Sequence, residues 1–275
     1  MERFVTRRIL HVNEKSACRI KLCEDEISGA EIVMKVYNLE TLKRKKKYVN
    51  VDGRLAASTL LDGARSELDI LLKLRHRSCV HLVCHSEEGG RLKLGFPHYE
   101  SMHIMEPTGC LSYDPRIPGL SSPEVITSLI EDIQSAIAYV HSLNIIHRDI
   151  KPDNILHGSR TGFVLSDFGS ARSVLVDGMT GESPATLAFY SPEACSGTYN
   201  GFKADWFALG MTVWCCIFQR LPYIMENKGD MLELIDKISS WNVHDSSDHL
   251  SNVPNNIRGF LHGLLERDPQ ARYAG

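Results

Sequence analysis

No stretch of this sequence is long and apolar enough to span a bilayer. Its longest apolar runs, such as Met211 to Phe218, fall well short of the roughly 20 residues that a membrane helix needs. The opening residues, Met1-Glu2-Arg3-Phe4-Val5-Thr6-Arg7-Arg8, lack the apolar centre of a signal peptide, so nothing in them directs export. An excess of positive charge is also missing. The chain carries 31 Lys and Arg against 34 Asp and Glu, a net charge of −3, and no bulk field argues for nucleic acid as a partner. The expectation is a protein that binds neither nucleic acid nor membrane. No C-x-x-C pair occurs among the 8 cysteines, and their spacing forms no disulfide framework, so reduced thiols in a cytoplasmic protein are expected. Internal repeats and low-complexity tracts are absent too. What is present is an ordinary globular composition, 43% hydrophobic and 24% charged over 275 residues. That is enough for one large domain or two modest lobes around a sizeable core.

Strands come first. Arg8 to Val12, Cys18 to Cys23 and Ala30 to Tyr37 are short and β-branched with partial alternation, and Ser28-Gly29 turns between the last two as in a hairpin. The basic run Lys43-Arg44-Lys45-Lys46-Lys47, followed by the turn signal Asp52-Gly53, predicts a solvated insert, with docking to an acidic partner as the alternative. Leu60, Leu61, Ala64, Leu68, Leu71 and Leu72 recur at helical spacing from about Ser58 to Leu74. Val80 to Val83 and Arg91 to Phe96 predict two further strands. Beyond Gly119 the chain turns helical. Ser121-Ser122-Pro123-Glu124 supplies a Ser cap, a proline in the first turn and a carboxylate at the positive end of the dipole. Ile126, Ile130, Ile133, Ile137 and Val140 then make one apolar stripe. Further buried helices are predicted from about Asp205 to Phe218, carrying Cys215-Cys216, and from about Asn256 to Leu265. Strands before helices point to an α+β protein in two lobes, joined near Pro97-His98-Tyr99.

The chemistry is concentrated in His147-Arg148-Asp149-Ile150-Lys151-Pro152-Asp153-Asn154. Taken alone, this block could be a polar loop. Thirteen residues after Asn154, however, stands Asp167-Phe168-Gly169, behind the short predicted strand Val164-Leu165-Ser166. Phosphoryl transfer needs such parts on adjacent loops. One carboxylate takes the hydroxyl proton, an amide and a second carboxylate hold magnesium, and a cation neutralises the γ-phosphate. Magnesium prefers hard oxygen ligands, which Asn154 and Asp167 supply.

The run H-R-D-I-K-P-D-N followed by D-F-G resembles the eukaryotic protein kinases, and further marks of that family follow in order from about Arg8 to Arg272. The resemblance implies a bilobal protein-kinase fold, with a small β-rich N-lobe over residues 1–97, a larger helical C-lobe over 98–275, and ATP with Mg2+ between them. It implies Asp149 as catalytic base, Lys151 as the catalytic-loop cation, and Asn154 and Asp167 as metal ligands. Lys35 corresponds to the strand lysine that contacts the α- and β-phosphates, with Glu67 as its ion-pair partner. Adenine would lie between Val12, Ile20 and Val33 above and Leu156 below, with Phe96 as gatekeeper. Pro97 has no N–H, so the Tyr99 N–H is the implied donor to the base. Ser191-Pro192-Glu193 stands for A-P-E, with Arg272 as the arginine that pairs with its glutamate. Asp205, in D-x-W-x-x-G up to Gly210, is implied as an anchor for the loop backbone, and His147 as structural. Lys151 together with Thr186 is the Ser/Thr pattern, so the implied reaction is γ-phosphate transfer from ATP·Mg to Ser or Thr hydroxyls of protein substrates.

A narrower resemblance lies in Gly210 to Phe218 followed by Leu221-Pro222-Tyr223. This is similar to the calcium/calmodulin-dependent kinase kinases and the plant activators of SNF1-related kinases, whose insert position matches Leu39 to Lys47. The implied partner is then a downstream kinase, phosphorylated on its activation loop. Calmodulin would act only through a segment following the catalytic domain and absent from this chain. The Arg-Pro-rich character of the animal insert is missing, and Cys215 stands where Arg-directed kinases often carry an acidic residue. The chain stops three residues after Arg272, where kinases continue through another helix, so the C-terminal end is expected to be cut short.

One family element is lost. Aligned back from Lys35, the glycines of G-x-G-x-x-G-x-V fall on Asn13, Lys15 and Cys18, with Ile20 for the valine. Glycines there allow the backbone to approach the phosphates closely. Their loss raises a second reading, a pseudokinase scaffold or allosteric partner with weak ATP binding. Lys35, Glu67, Asp149, Asn154 and Asp167 are all present and favour catalysis. Asn13 is expected to relieve strain by entering positive φ, and Lys15 to bring an ammonium toward the phosphates. Arg148 marks a catalytic loop coupled to negative charge on the activation segment, and Glu182 and Ser183 lie near the place for it. Glu182 would substitute in part for a phosphate, the alternative being that both are solvated loop residues.

Overall fold

The computed structural model describes residues 3–13, 17–51, 54–101, 103–105, 111–113, 122–158, 161–223 and 230–273. Lys15, the turn signal Asp52-Gly53, the boundary residue Gly119 and Ser121 lie outside the described residues. The chain forms two compact units, Met1–Tyr99 and Glu100–Gly275. The first is β-rich and the second largely helical, an α+β architecture.

The elements of the first unit are β1 (Phe4–Asn13), β2 (Cys18–Asp25), β3 (Glu31–Asn38), α1 (Leu39–Arg44), β4 (Lys46–Val51), β5 (Arg54–Thr59), α2 (Leu60–Leu71), β6 (Cys84–Glu88) and β7 (Arg91–Pro97). Five of the strands form an antiparallel sheet in the order β1-β2-β3-β7-β6. Residues directly opposite in such a ladder share a face. Ile20 faces Lys35, Leu22 faces Val33, and Val33 and Lys35 face Phe96 and Leu94. The opposite face buries Cys23, Ile32 and Met34 against Phe4, Val36 and Cys84.

One expectation changes here. The last strand before β7 is Cys84–Glu88 and not Val80 to Val83. Gly89 and Gly90 both have positive φ, 56° and 69°, which makes the mirror-image two-residue turn whose twist suits a hairpin. That turn sets the register from Glu88↔Arg91 back to Cys84↔Gly95, and Val80 is buried ahead of the strand. The basic run is largely solvated, as expected, with Lys43, Arg44 and Lys46 exposed, and it carries a short helix. Asn38 caps α1 by accepting from the Thr41 N–H at 3.0 Å, Leu39 and Leu42 are buried, and Lys43 and Arg44 point to solvent in the last turn, where the helix dipole favours cations.

The second unit comprises β8 (Glu100–Ser101), β9 (His103–Met105), β10 (Leu111–Tyr113), α3 (Pro123–Ser142), β11 (Ile145–Ile146), β12 (Ile155–Gly158), β13 (Gly162–Leu165), β14 (Arg172–Ser173), β15 (Met179–Thr180), β16 (Tyr199–Asn200), α4 (Gly201–Phe218), α5 (Met231–Ser240), α6 (Ser247–Leu250) and α7 (Asn255–Leu264). Ser122 caps α3 by accepting from the Val125 N–H at 3.3 Å, and the stripe Ile126, Ile130, Ile133, Ile137 and Val140 is buried. α3 packs against α4, which is apolar nearly all round and therefore central. α4 begins at Gly201, four residues before Asp205. Asn200 caps it through the Lys203 N–H, and a Cβ at Gly201 would come within 2.6 Å of Ile146. Cys215 and Cys216 are buried on this helix, and burial pushes the Cys216 thiol up to about 12. Among the described residues, no helix is long and apolar enough to cross a membrane.

α7 packs against the 3-10 turn Val243–Ser246. There His244 and His262 stack, with ring centroids 4.9 Å apart and planes 19° from parallel. The Nδ1 of His262 is buried without a hydrogen-bond partner, while His244 lies 3.3 Å from Glu266. Burial, then the neighbouring His244 and Arg258, hold His262 below its ordinary value of 6.5. A base with a depressed folded pKa binds its proton more readily when unfolded, so its stabilisation is full above 6.5 and declines as pH falls through that value. The urea midpoint is therefore expected to drop between about pH 7.5 and 5.5, and His262→Gln to remove part of that drop. Identical pH dependence in the two proteins would reject the assignment.

Candidate active site

Asp205, in the second turn of α4, is 2% exposed, and a carboxylate so buried needs donors. It takes three: the backbone N–H of His147 and of Arg148, each at 2.8 Å, and the His141 ring Nε2 at 2.9 Å. These bonds pin the loop after β11. Arg148 there holds φ at +64°, a left-handed conformation that costs a non-glycine residue about 1–2 kcal/mol. His147 has a structural place. Its Nε2 lies 2.9 Å from the Ser166 carbonyl, its Nδ1 accepts from the Asp149 N–H at 3.3 Å, and its ring meets Phe168 edge-on at 4.8 Å.

The pinned loop presents the carboxylate of Asp149, which is 8% exposed. Thr186 Oγ1 donates to Oδ1 at 2.5 Å, Asn154 Nδ2 donates to Oδ2 at 2.9 Å, and Lys151 Nζ stands 3.1 Å from Oδ2. Lys151 also donates to Thr186 Oγ1 at 2.8 Å. Asn154 Nδ2 bonds the Asp149 carbonyl as well, at 2.7 Å. Its amide nitrogen is thus committed, and the amide oxygen is the atom left for a cation. The β12–β13 hairpin, with Ile155 opposite Leu165, brings Asn154 and Asp167 to the same end. Ser166 clamps them by donating from N and Oγ to the Asn154 carbonyl, at 2.8 and 2.9 Å. Asp167 is exposed with φ +55° and accepts from the Gly169 N–H at 3.4 Å. Leu156 lies half-buried on β12. Among the described residues no three His, Cys, Asp or Glu side chains cluster to cage a metal ion. One amide and one carboxylate fit Mg2+ instead, which keeps waters and substrate phosphates as its other ligands.

In the first unit, Lys35 Nζ meets Glu67 Oε1 at 2.7 Å, and the Tyr37 hydroxyl donates to Oε2 at 2.5 Å. Glu67 is 2% exposed on the buried stripe of α2, so both its oxygens are matched. Burial, with Glu67 beside it, pushes the Tyr37 phenol well up. Ile20, Val33 and Phe96 share the sheet face of Lys35, and Tyr99 follows β7, its hydroxyl 3.3 Å from His81 Nδ1. Val12 does not join them. It stands opposite Arg19, whereas His11 stands opposite Ile20, so Val12 is on the other face and 46% exposed. The strain expected at Asn13 is also elsewhere, since Ala17, at φ +49°, is the residue of this hairpin with positive φ among those described.

The sequence matches the family model described as Protein kinase domain over residues 16–274. The chain belongs to that family. Serine/threonine-protein kinase GRIK1 of Arabidopsis thaliana is similar, 30% identical over 226 residues that cover 80% of this chain and 53% of the relative. GRIK2 of the same plant is 27% identical over 272 residues, 96% of this chain and 61% of the relative. The Serine/threonine-protein kinase stk11 homolog of Dictyostelium discoideum is 29% identical over 287 residues, 94% and 47%. The chain spans about half the length of the curated relatives it matches.

The family's outlying pair is also in place in this kinase domain. The guanidinium of Arg272, beyond α7, meets both oxygens of Glu193, at 2.5 and 3.0 Å. Other functional contacts escaped the sequence reading: Ser166 as clamp, His141 as third donor to Asp205, and Arg172, whose Nε lies 3.4 Å from Glu182. Arg172 is held by its pairing with Ile146 across β14 and β11, a contact with no local signature.

Proposed function

We propose that this kinase domain transfers the γ-phosphate of ATP·Mg2+ to Ser or Thr hydroxyls of protein substrates. The observation that carries the reading is the convergence of Asn154, Lys151 and Thr186 on the carboxylate of Asp149. Asp149 would accept the proton of the incoming hydroxyl at a carboxylate oxygen, and its three neighbours fix that carboxylate in one orientation. Lys151, tied to Thr186, places a cation beside the same group and offsets charge on the transferring phosphoryl. Magnesium held by Asn154 and Asp167 would supply further neutralisation of phosphate oxygens. Lys35, oriented by Glu67, would bind nucleotide phosphates, and Ile20, Val33, Leu156, Phe96 and the Tyr99 N–H would receive adenine. We propose further that the protein substrate is the activation loop of another kinase, supported by the sequence of α4 and of Leu221-Pro222-Tyr223.

The glycine-free hairpin bears on the competing pseudokinase reading. Ala17 occupies left-handed backbone at a penalty that glycine would avoid, so loop cover over the nucleotide is expected to be loose. Weak ground-state binding raises KM without lowering kcat. The test titrates ATP·Mg2+ by calorimetry and by transfer to casein and to a catalytically dead kinase domain. The expected KM for ATP lies near the top of the usual range of about 1 μM–1 mM, with measurable kcat. Undetectable nucleotide binding at millimolar ATP would favour the pseudokinase, and transfer to casein but not to the kinase domain would reject the substrate class.

A further inference from the structure

One buried and one half-buried arginine of the second unit converge on one carboxylate. Arg148 Nη1 lies 3.0 Å and Arg172 Nε 3.4 Å from Glu182 Oε2, with side chains 5%, 18% and 25% exposed for Arg148, Arg172 and Glu182. The three residues come from separate stretches: the loop after β11, the strand β14, and the segment after β15. Among the described residues Arg148 otherwise meets only carbonyl oxygens, those of Ser170 at 2.8 Å and of Glu182 and Ser183 at 3.4 Å. Neutral dipoles do not cancel its charge, and a buried cation beside a second cation is unfavourable. Arg172 shows that strain: burial, then Arg148, push its pKa down, and Glu182 opposes them.

The contact is coupled to the catalytic loop. Tyr199 donates its hydroxyl to the Glu182 carbonyl at 2.9 Å. Three residues after Glu182 the Ala185 N–H donates to the Arg148 carbonyl at 3.1 Å, and the next residue, Thr186, donates to Asp149. Resting on the reading of Asp149 as base, we infer that Glu182 is a positioning residue: its fixed carboxylate locks the 179–186 segment onto the catalytic loop, so this chain needs no added phosphate there to hold Thr186 on Asp149. One carboxylate brings about one negative charge where a phosphate brings nearly two, and two guanidiniums share it. The clamp is set by sequence and permanently engaged.

Glu182→Gln keeps the shape and removes the charge. Two charge-assisted contacts are weakened, so kcat is expected to fall about tenfold or more. The KM for ATP should stay where it is, while the melting temperature falls by a few degrees because the two guanidiniums lose their counter-charge. Glu182→Asp, which keeps the charge, should retain most of the activity. Hydrogen exchange of the Ala185 amide should quicken in Glu182→Gln by a similar factor. Unchanged kcat and unchanged exchange would overturn the inference, and so would a loss of kcat matched by a raised KM and a collapsed melting temperature, which marks general damage. If the wild-type domain transfers no phosphate, the reading of Asp149 fails, and exchange at Ala185 still decides whether Glu182 holds the segment.

Discussion

Asp149→Asn is expected to lower phosphoryl transfer about 10²–10⁴-fold, the usual contribution of a positioned general base, while leaving the fold intact. The substitution changes no heavy-atom shape. An amide must place its oxygen toward one side and its NH2 toward the other. The Oδ2 side faces two donors, Asn154 Nδ2 and Lys151 Nζ, so the amide oxygen belongs there. The NH2 then faces Thr186 Oγ1, a hydroxyl that reverses from donor to acceptor by rotation. Structure is thereby kept and the proton acceptor is lost. Initial rates at saturating ATP, with melting temperature as the control for folding, measure the effect. Unchanged transfer would remove Asp149 from the base role, and a loss accompanied by a collapsed melting temperature would assign it a structural one.

The catalytic loop was legible because its residue types stand at fixed short spacing, and short spacing survives folding. The pairs Lys35 with Glu67 and Glu193 with Arg272 were reached through order along the chain, since nothing local to Arg272 announces a buried guanidinium. Legibility failed where geometry depends on parity. Whether Val12 or His11 shares the face of Ile20 turns on a register that shifts twice along β1 and β2, between Thr6 and Arg8 and between Ile9 and His11. A slip of one residue exchanges the faces. The strand β6 failed for a related reason, because apolar content drew attention to Val80–Val83 while Gly89-Gly90 fixed the ladder. α5 carries little signal in the sequence beyond its cap, Asp230, whose side chain accepts from the Leu232 N–H at 2.9 Å. Of its apolar residues only Ile238 is buried, so the periodic signal served little packing. Arg172 had no pattern to show, its partners lying in two other stretches of chain.

Arg272→Lys is expected to destabilise the second unit by about 3–5 kcal/mol, since each buried carbonyl left without its donor costs about 1–3 kcal/mol. The side chain of Arg272 is fully buried and that of Glu193 17% exposed. A guanidinium has five N–H donors, and here each finds an acceptor. Nε donates to the Glu266 carbonyl at 2.8 Å, Nη1 to Glu193 and to the Lys203 carbonyl at 2.9 Å, and Nη2 to Glu193 and to the Arg267 carbonyl at 3.2 Å. The plane also lies over the Phe207 ring at 4.9 Å. One residue thus joins the turn of Ser191-Pro192-Glu193, the first turn of α4 and the chain end after α7. A lysine keeps the charge but offers three donors from a single point, leaving buried carbonyls unmatched. Each kcal/mol is worth about 2–4 °C in a domain of 150–250 residues, so the melting temperature should fall by about 10 °C. Removing both charges, Arg272→Met with Glu193→Met, should cost less than the two single changes added together, because neither partner is then left as an unpaired buried ion. Strict additivity in that cycle would show that the pair contributes no coupling and that the loss in Arg272→Lys is one of packing alone.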